Sequence, residues 1–358
     1  MVSEELIWKA LENVKDPELG ISIVRLGMVK KVSADGGIVA VDIALTISGC
    51  PLREKVEREV SDAISPLDGV GTVRVNLGVM AKEERDELVA QLTGRKKTEL
   101  FSGQRPKKVI PVASGKGGVG KSTITANLAV ALAASGYKVG VIDADVYGFS
   151  IPQMLGVSGR PTVINQMIIP LEKDGVKVIS IGFLLPEDAS VIWRGPMLHK
   201  AITQFMTDVF WGELDFLLLD LPPGTGDVSI TVAQALPEAE ILIVTTPQKV
   251  AFNVAARISK LAEVAHLKIM GVVENMSYFQ TPQGEKIQIF GKGGGRQLAQ
   301  RLGVPLLGEI PLEMEIREGS DAGRPVAIYR KDTPVARLYS EIAKALAARL
   351  PQVALAVS

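Results

Sequence analysis

The chain has 358 residues, of which 47% are hydrophobic and 22% charged, enough apolar material for a large core and about two domains. Forty basic residues balance forty acidic ones, so a net charge of zero gives no overall attraction to nucleic acid or to an anionic membrane surface. The amino terminus lacks a basic start followed by an apolar run, and no apolar stretch reaches about 18 residues, so we expect a cytoplasmic protein with no membrane or nucleic-acid partner.

The first part of the chain, residues 1–80, predicts a small α+β domain. Periodic and alternating apolar patterns indicate a helix, two strands, a helix and a strand, in that order, at residues 3–14, 28–34, 38–47, 51–65 and 70–79. Residues 81–107 are highly charged and end in a basic, proline-containing segment. We interpret them as a linker between two domains.

The second predicted domain covers residues 108–350 and alternates apolar strands with helices. The predicted strands are apolar along their whole length, as strands covered on both faces are, and lie at residues 108–114, 138–145, 176–183, 216–222, 241–247, 269–276 and 305–311. Seven such strands with crossover helices predict an α/β fold with a doubly wound, mostly parallel sheet.

The last predicted helix covers residues 333–350 and precedes a C-terminal tail, residues 351–358. Four apolar residues recur on one of its faces: Leu338, Ile342, Leu346 and Leu350. We expect this face to pack on the sheet, because the tail carries no basic residue that would favour a membrane surface.

A glycine-rich loop follows the first strand of the second domain. The stretch "GKGGVGKS", Gly115 to Ser122, matches the phosphate-loop pattern GxxxxGK[ST] and lies between a strand and a helix, which is the context the pattern requires. Its glycines let backbone N–H groups point inward, and the helix amino terminus adds partial positive charge. The predicted nucleotide-binding residues are Gly115, Lys116, Gly117, Gly118, Val119, Gly120, Lys121, Ser122 and Thr123.

Three carboxylates follow apolar strands of the same domain. Asp220 ends "FLLLD" and precedes a loop in which Gly224 could sense the γ phosphate, while Asp143 and Asp145 end the strand after the phosphate loop. Ligands gather at the carboxyl edge of parallel strands. We predict that Lys121 contacts the β and γ phosphates, that Mg²⁺ is held by Ser122, Asp143 and Asp220, and that Asp145 orients the attacking water.

A second lysine, Lys116, stands one residue into the loop. Its side chain cannot easily fold back to the phosphates that Lys121 serves, but it could reach the nucleotide of another subunit. A cation supplied in trans is worth about 10³ to 10⁵ in rate in phosphoryl transfer. This favours a face-to-face homodimer with Lys116, Lys121 and Asp145 as catalytic residues; the alternative for Lys116 is an ordinary surface lysine.

These motifs resemble a known family. "GKGGVGKST" resembles the deviant Walker A loop of the SIMIBI class, and "DADVYGFSIPQMLG", "WRGPMLHKAITQF" and "GVVENMSYF" resemble the Mrp/ApbC family of iron–sulfur cluster carrier ATPases. The amino-terminal "KDPELGISIVRLGMV" and "LTISGCPL" resemble the MIP18-type domain. The resemblance implies ATP as the nucleotide, an ATP-sandwiched homodimer, adenine contact by Asn275, and iron–sulfur apoproteins and assembly factors as partners.

One stretch departs from the family pattern. The family usually has a Cys-x-x-Cys pair after "NMSYF", which holds a [4Fe–4S] cluster between two subunits, but this chain has "QTPQGE" with Thr281 and no cysteine. Thr and Gln are not usual ligands of such a cluster, so the family's ligand set does not transfer to these positions.

The single cysteine, Cys50, lies where a predicted strand gives way to a helix. The helix amino end would favour its thiolate, and two copies from two chains could hold a cluster completed by outside thiols. The alternative is a small buried cysteine. His199 and His266 are expected to be structural, with His199 near the nucleotide.

Three functions stay open at this point. The resemblance favours an ATP-hydrolysing protein that binds and transfers iron–sulfur clusters or assists their assembly. The missing cysteine pair leaves two others, a partition or septum-site-like positioning ATPase and an assembly factor that holds no cluster.

Overall fold

A computed structural model describes residues 2–46, 52–93, 105–146, 148–184, 195–224, 236, 239–248 and 251–350 of the chain. The chain forms two compact units. The first comprises Met1–Lys96 and Thr162–Ile169, and the second comprises Lys97–Pro161 and Pro170–Ser358.

The first unit is built on a small mixed sheet. Its first elements are α1 (Glu4–Leu11), β1 (Val29–Asp35), β2 (Ile38–Leu45), α2 (Arg53–Ile64), β3 (Thr72–Val79) and α3 (Lys82–Thr93). The strand order is β1-β2-β3, with β1 antiparallel and β3 parallel to β2, so that α2 is the crossover between the parallel pair. The predicted α+β character and all five predicted elements are confirmed, and α3 occupies part of the predicted linker.

The second unit begins with the strand and helix that flank the glycine-rich loop. Its first elements are β4 (Lys108–Ser114), α4 (Lys121–Ala134), β5 (Val139–Asp143) and α5 (Ile151–Leu155). The chain then forms a hairpin of β6 (Thr162–Ile164) and β7 (Met167–Ile169), which belongs to the first unit. Asn165 and Gln166 form its turn with φ of 45° and 74°. This hairpin was not predicted from the sequence.

The rest of the second unit completes the alternation of strands and helices. Its elements are β8 (Leu171–Lys173), β9 (Val176–Ser180), a 3₁₀ turn (Ile181–Leu184), α6 (Gly195–Thr207), β10 (Phe216–Asp220), β11 (Glu240–Thr245), α7 (Ala251–Val264), β12 (Lys268–Glu274), β13 (Phe279–Gln280), β14 (Lys286–Ile287), α8 (Gly294–Leu302), β15 (Leu306–Glu309), α9 (Met314–Asp321), α10 (Val326–Tyr329) and α11 (Pro334–Ala347).

The central sheet of the second unit has the strand order β15-β12-β11-β4-β10-β5-β9-β8. Its neighbours are parallel except β8 and β9, which are antiparallel. All seven predicted strands are present, and the doubly wound, mostly parallel fold is confirmed. The edge strand β8 escaped prediction because it has only three residues, two of them charged.

Helices cover this sheet with apolar faces. Every residue of β5 and β10 is buried, as expected for strands covered on both sides. The last helix, α11, buries Ile342 and Leu346 as predicted, but Tyr339 lies at the centre of its inner face while Leu338 and Leu350 are only half-buried. Among the described residues, no helix has the length and apolar character needed to cross a membrane.

Candidate functional site

The candidate site lies at the carboxyl edge of three neighbouring strands. Strand β10 stands between β4 and β5, and Asp220 pairs in register with Val112 of β4 and Asp143 of β5. The glycine-rich loop leaves the end of β4, and Asp145 follows the end of β5. The structure therefore brings the loop and the three carboxylates to one edge, where ligands of parallel α/β sheets bind.

The glycine-rich loop curls into helix α4 through two left-handed residues. Gly118 and Gly120 have φ of 74° and 79°, a region that favours glycine. Gly120 is also the amino-terminal cap of α4, and it provides no side-chain cap for the first helix N–H groups. Free N–H groups at a helix amino terminus, with the helix dipole behind them, favour anions. Phosphate binding by Gly115 through Thr123 stays a prediction.

Lys121 is buried at the first position of α4. Its Nζ lies 2.7 Å from Asp220 Oδ1 and 3.5 Å from Asp145 Oδ2, and only 5% of the side chain is exposed. Although these are ion-pair distances, the ammonium makes no well-aligned hydrogen bond with any described residue. A buried cation whose donors lack aligned acceptors suits an incoming phosphate, which could replace the carboxylates as its partner.

Asp220 is fully buried and accepts hydrogen bonds from two hydroxyl groups of α4. Ser122 Oγ donates to Oδ2 at 2.5 Å, and Thr125 Oγ1 donates to Oδ1 at 3.1 Å. Thr125 was not predicted as a site residue, although its place one helical turn after Lys121 was a signal that it faces the same carboxylate. The hydroxyl of Ser122 and the carboxylate of Asp220, both predicted Mg²⁺ ligands, thus stand side by side.

Asp143 is also fully buried, and its carboxylate holds the loop after β5. It accepts hydrogen bonds from the backbone N–H groups of Asp145 and Ile151 and from Ser180 Oγ, each at 3.2 Å. Burial, and next the negative charge of Asp220, raise the pKa of Asp143 well above its usual value. These contacts fix the backbone that presents Asp145, and a role for Asp143 in holding Mg²⁺ stays a prediction.

The arrangement fits a magnesium ion that takes much of its coordination from elsewhere. No cluster of three or more His, Cys, Asp or Glu side chains suited to a metal occurs in the described ranges. Mg²⁺ prefers oxygen ligands, is commonly bound by one or two carboxylates, and completes its shell with water and substrate phosphates. Ser122 and Asp220 have oxygen groups suited to such a partial shell, and their binding of Mg²⁺ stays a prediction.

Asn275, predicted to contact adenine, lies at the end of β12 and supports the loop. Its Nδ2 donates to the carbonyl of Val119 at 2.9 Å, and the side chain is almost fully buried. A Cβ on Gly120 would overlap this amide nitrogen. Asn275 therefore holds the phosphate loop against β12, and its contact with adenine stays a prediction.

Lys116 is held at both ends within its own chain. Its carbonyl accepts a hydrogen bond from Ser114 Oγ at 2.9 Å, and its ammonium contacts Oε1 of Gln248. Gln248 was not predicted from the sequence, since nothing in the local pattern links position 248 to the loop. The predicted action of Lys116 on a second subunit stays a prediction.

The stretch that replaces the family's cysteine pair forms a short hairpin. Strands β13 and β14 pair antiparallel, and Thr281 closes the turn by accepting the N–H of Glu285 on its Oγ1 at 3.1 Å. Gly284 takes a φ of 88° in that turn. The segment is thus closed by hydroxyl and backbone groups at the place where family members carry thiolates.

The other predicted residues are Cys50, Gly224, His199 and His266, and a place for His199 near the nucleotide stays a prediction. Cys50 falls outside the described residues. Gly224, with φ of 87°, stands at the end of the described part of its loop. His199 is exposed on α6, and His266 is exposed in the turn before β12 with φ of 54°.

Comparison with known proteins agrees with this geometry. Residues 105–347 match the family model described as NUBPL iron-transfer P-loop NTPase, and residues 4–76 match that of the iron-sulfur cluster assembly protein. The chain belongs to the NUBPL iron-transfer P-loop NTPase family. The resemblance to the Mrp/ApbC iron–sulfur carriers, including the front domain, is thereby confirmed.

Relatives of this family match over nearly the whole chain. An iron-sulfur cluster carrier protein of Mycobacterium leprae is 48% identical over 95% of this chain and 91% of its own length. A protein of the same name from Bacillus subtilis is 41% identical over 98% of this chain and 99% of its own length. Both predicted domains are therefore present together in the relatives.

Two solved structures support the fold of the second unit, here called the NTPase unit because it contains the phosphate loop. A nucleotide-binding protein from Archaeoglobus fulgidus in complex with ADP matches with a TM-score of 0.55 and 37% identity, over 68% of this chain and 92% of that one. The cell division ATPase MinD of Pyrococcus furiosus matches with a TM-score of 0.50 and 25% identity, over 68% and 99%. The match to MinD is lower in identity and covers less of this chain than the matches to the carrier relatives, so it does not favour the positioning ATPase alternative.

Proposed function

We propose that the protein binds and hydrolyses ATP and, as an ATP-dependent homodimer, carries iron–sulfur clusters to apoproteins or assists their assembly. The observation that carries this proposal is the buried Lys121–Asp220 pair beside Ser122 in a phosphate loop, in a chain whose full-length relatives are named carriers. The cytoplasmic location expected from the sequence is part of the same proposal.

ATP hydrolysis would use residues already in place. The N–H groups of Gly117 through Thr123 bind the phosphates, and Lys121 exchanges its carboxylate partners for the β and γ phosphates. Asp145, held by the backbone contacts of Asp143, orients the water for in-line attack. Mg²⁺, held through Ser122 and Asp220, would supply charge neutralisation on the phosphates.

The dimer is proposed because of Lys116. In the proposed assembly each Lys116 reaches the nucleotide of the other subunit, which adds positive charge where negative charge develops in the transition state. A single subunit would then hydrolyse ATP slowly, and the rate per subunit would rise with protein concentration.

The cargo is an iron–sulfur cluster, and two modes of handling it are open. In the first, Cys50 from two subunits and thiols from outside hold the cluster. In the second, the protein assists assembly without holding a cluster, a mode favoured by the Thr281-closed hairpin at the position of the usual ligands.

Anaerobic reconstitution with iron and sulfide tests the proposal. We expect about one cluster per dimer in the wild type and its loss in Cys50→Ala if Cys50 is a ligand. Equal loading in Cys50→Ala, or less than one cluster per dimer in the wild type, would remove the first mode. Failure of the wild type to hydrolyse ATP in the same preparation would contradict the proposal as a whole.

A further inference from the structure

The ammonium group of Lys116 has a partner in its own subunit. It contacts Oε1 of Gln248, while the carbonyl of Lys116 is fixed by Ser114 Oγ. Both groups belong to the NTPase unit, and Gln248 is exposed while Lys116 is half-buried. In the single chain, the lysine proposed to act on another subunit is therefore bound by a residue of its own subunit.

Gln248 occupies a well-anchored position. It follows β11, whose last residue, Thr245, accepts the N–H of Asn275 at 2.8 Å. Thr246 and Pro247 are buried, and the Pro247 carbonyl lies against Gly294 so closely that a Cβ there would be 2.5 Å away. The carboxamide of Gln248 thus projects from a buried, hydrogen-bonded strand end beside the phosphate loop.

The contact between the Lys116 ammonium and the Gln248 carboxamide is of a kind that a stronger acceptor can replace. A neutral carboxamide oxygen accepts from an ammonium without adding a full negative charge, so a phosphate of another subunit can outcompete it. An exposed pair of this kind favours the bound over the free Lys116 side chain by only about twofold. Roughly one third of the Lys116 side chains would then be free.

We propose that Gln248 is a positioning residue that holds Lys116 in its own subunit and must release it before the dimer closes around nucleotide. This inference rests on the ATP-dependent dimer of the proposed function. Closure breaks two such contacts per dimer. If only about one third of the Lys116 side chains are free in each subunit, both subunits of a dimer are ready in about one case in nine. Dimerisation is then about ninefold weaker than for subunits in which every Lys116 is free.

Two substitutions of similar size at position 248 distinguish the Lys116–Gln248 contact from a packing role of the Gln248 side chain. Gln248→Met removes the acceptor, and Gln248→Glu replaces it with a charged one. Gln300→Met, at an exposed glutamine of α8 in the same unit, is the matched control. The dimer dissociation constant is measured by sedimentation with a non-hydrolysable ATP analogue and Mg²⁺, and binding of the same analogue is measured in parallel.

A second measurement reports on the single subunit and needs no dimer. The rate at which the Lys116 amine is acylated, followed by peptide mapping without nucleotide, rises with the free fraction of the lysine. We expect a rise of about threefold in Gln248→Met and a fall in Gln248→Glu, with unchanged labelling of the exposed Lys292.

The expected result is a dimer dissociation constant about ninefold lower in Gln248→Met, higher in Gln248→Glu and unchanged in Gln300→Met. Equal constants and equal Lys116 labelling in the wild type and both Gln248 variants would overturn the inference and leave the proposed function standing. A wild type that binds the analogue yet stays monomeric would overturn both.

Discussion

Replacing Gly120 by alanine tests whether Asn275 holds the phosphate loop. Gly120 has a left-handed φ of 79°, and its Cβ would overlap the Asn275 amide that donates to the Val119 carbonyl. Gly118 is the matched control, because it has a similar φ of 74° but nothing within 4 Å of its Cβ position. Any difference between the two alanine variants therefore reports on the Asn275 contact.

The magnitudes follow from these two environments. A left-handed backbone costs alanine about 1 kcal/mol relative to glycine, so Gly118→Ala should lower the free energy of unfolding by about that amount. Gly120→Ala adds the loss of a buried hydrogen bond, about 1–3 kcal/mol, for a total of about 3 kcal/mol. For a unit of this size the corresponding falls in Tm are about 2–4 °C and about 6–12 °C.

Thermal unfolding of the two variants, with the affinity for ADP, checks this prediction. Asn275→Ala in the Gly120→Ala background removes the overlap, so the double variant should be little less stable than Gly120→Ala alone. Equal Tm values for Gly118→Ala and Gly120→Ala, or fully additive effects in the double variant, would refute the assigned role of Asn275.

Three further substitutions test other parts of the structure. Lys121→Ala should abolish ATP hydrolysis, because it removes the buried cation beside Asp220, and turnover at the wild-type rate would refute the site assignment. Lys116→Ala should lower the hydrolysis rate while single subunits still bind nucleotide, and an unchanged rate would remove its action across the dimer. Tyr339→Phe should leave the free energy of unfolding unchanged or raise it by up to about 1 kcal/mol, because the fully buried hydroxyl has no hydrogen-bond partner among the described residues. Tyr329→Phe, whose exposed hydroxyl contacts Asp174, is the control and should change it by less than about 0.5 kcal/mol, and a clear loss in Tyr339→Phe alone would contradict the assignment.

The sequence predicted the features that depend on local pattern. The seven predicted sheet strands contain apolar runs bounded by polar or charged residues, and the phosphate loop has a defined spacing between a strand and a helix, so both could be recognised without a structure. Asp143, Asp145 and Asp220 could be placed at one edge because the carboxyl ends of parallel strands meet there.

The features that escaped prediction depend on contacts between distant parts of the chain. The β6–β7 hairpin turns at Asn165 and Gln166 without a glycine, and β8 is too short to leave a pattern. Gln248 meets Lys116 across 132 positions, which no local signal reveals. The contact of Asn275 with Val119 likewise arises only when β12 is placed beside the loop.

Cluster transfer to an apoprotein under anaerobic conditions tests whether ATP bound at the phosphate loop controls cluster delivery. The measurement compares the wild type and Lys121→Ala, each supplied with an iron–sulfur cluster source, ATP and Mg²⁺, by the rate at which the acceptor gains its cluster. We expect ATP to change the rate for the wild type and not for Lys121→Ala. Rates that are the same for both proteins, with and without ATP, would contradict it.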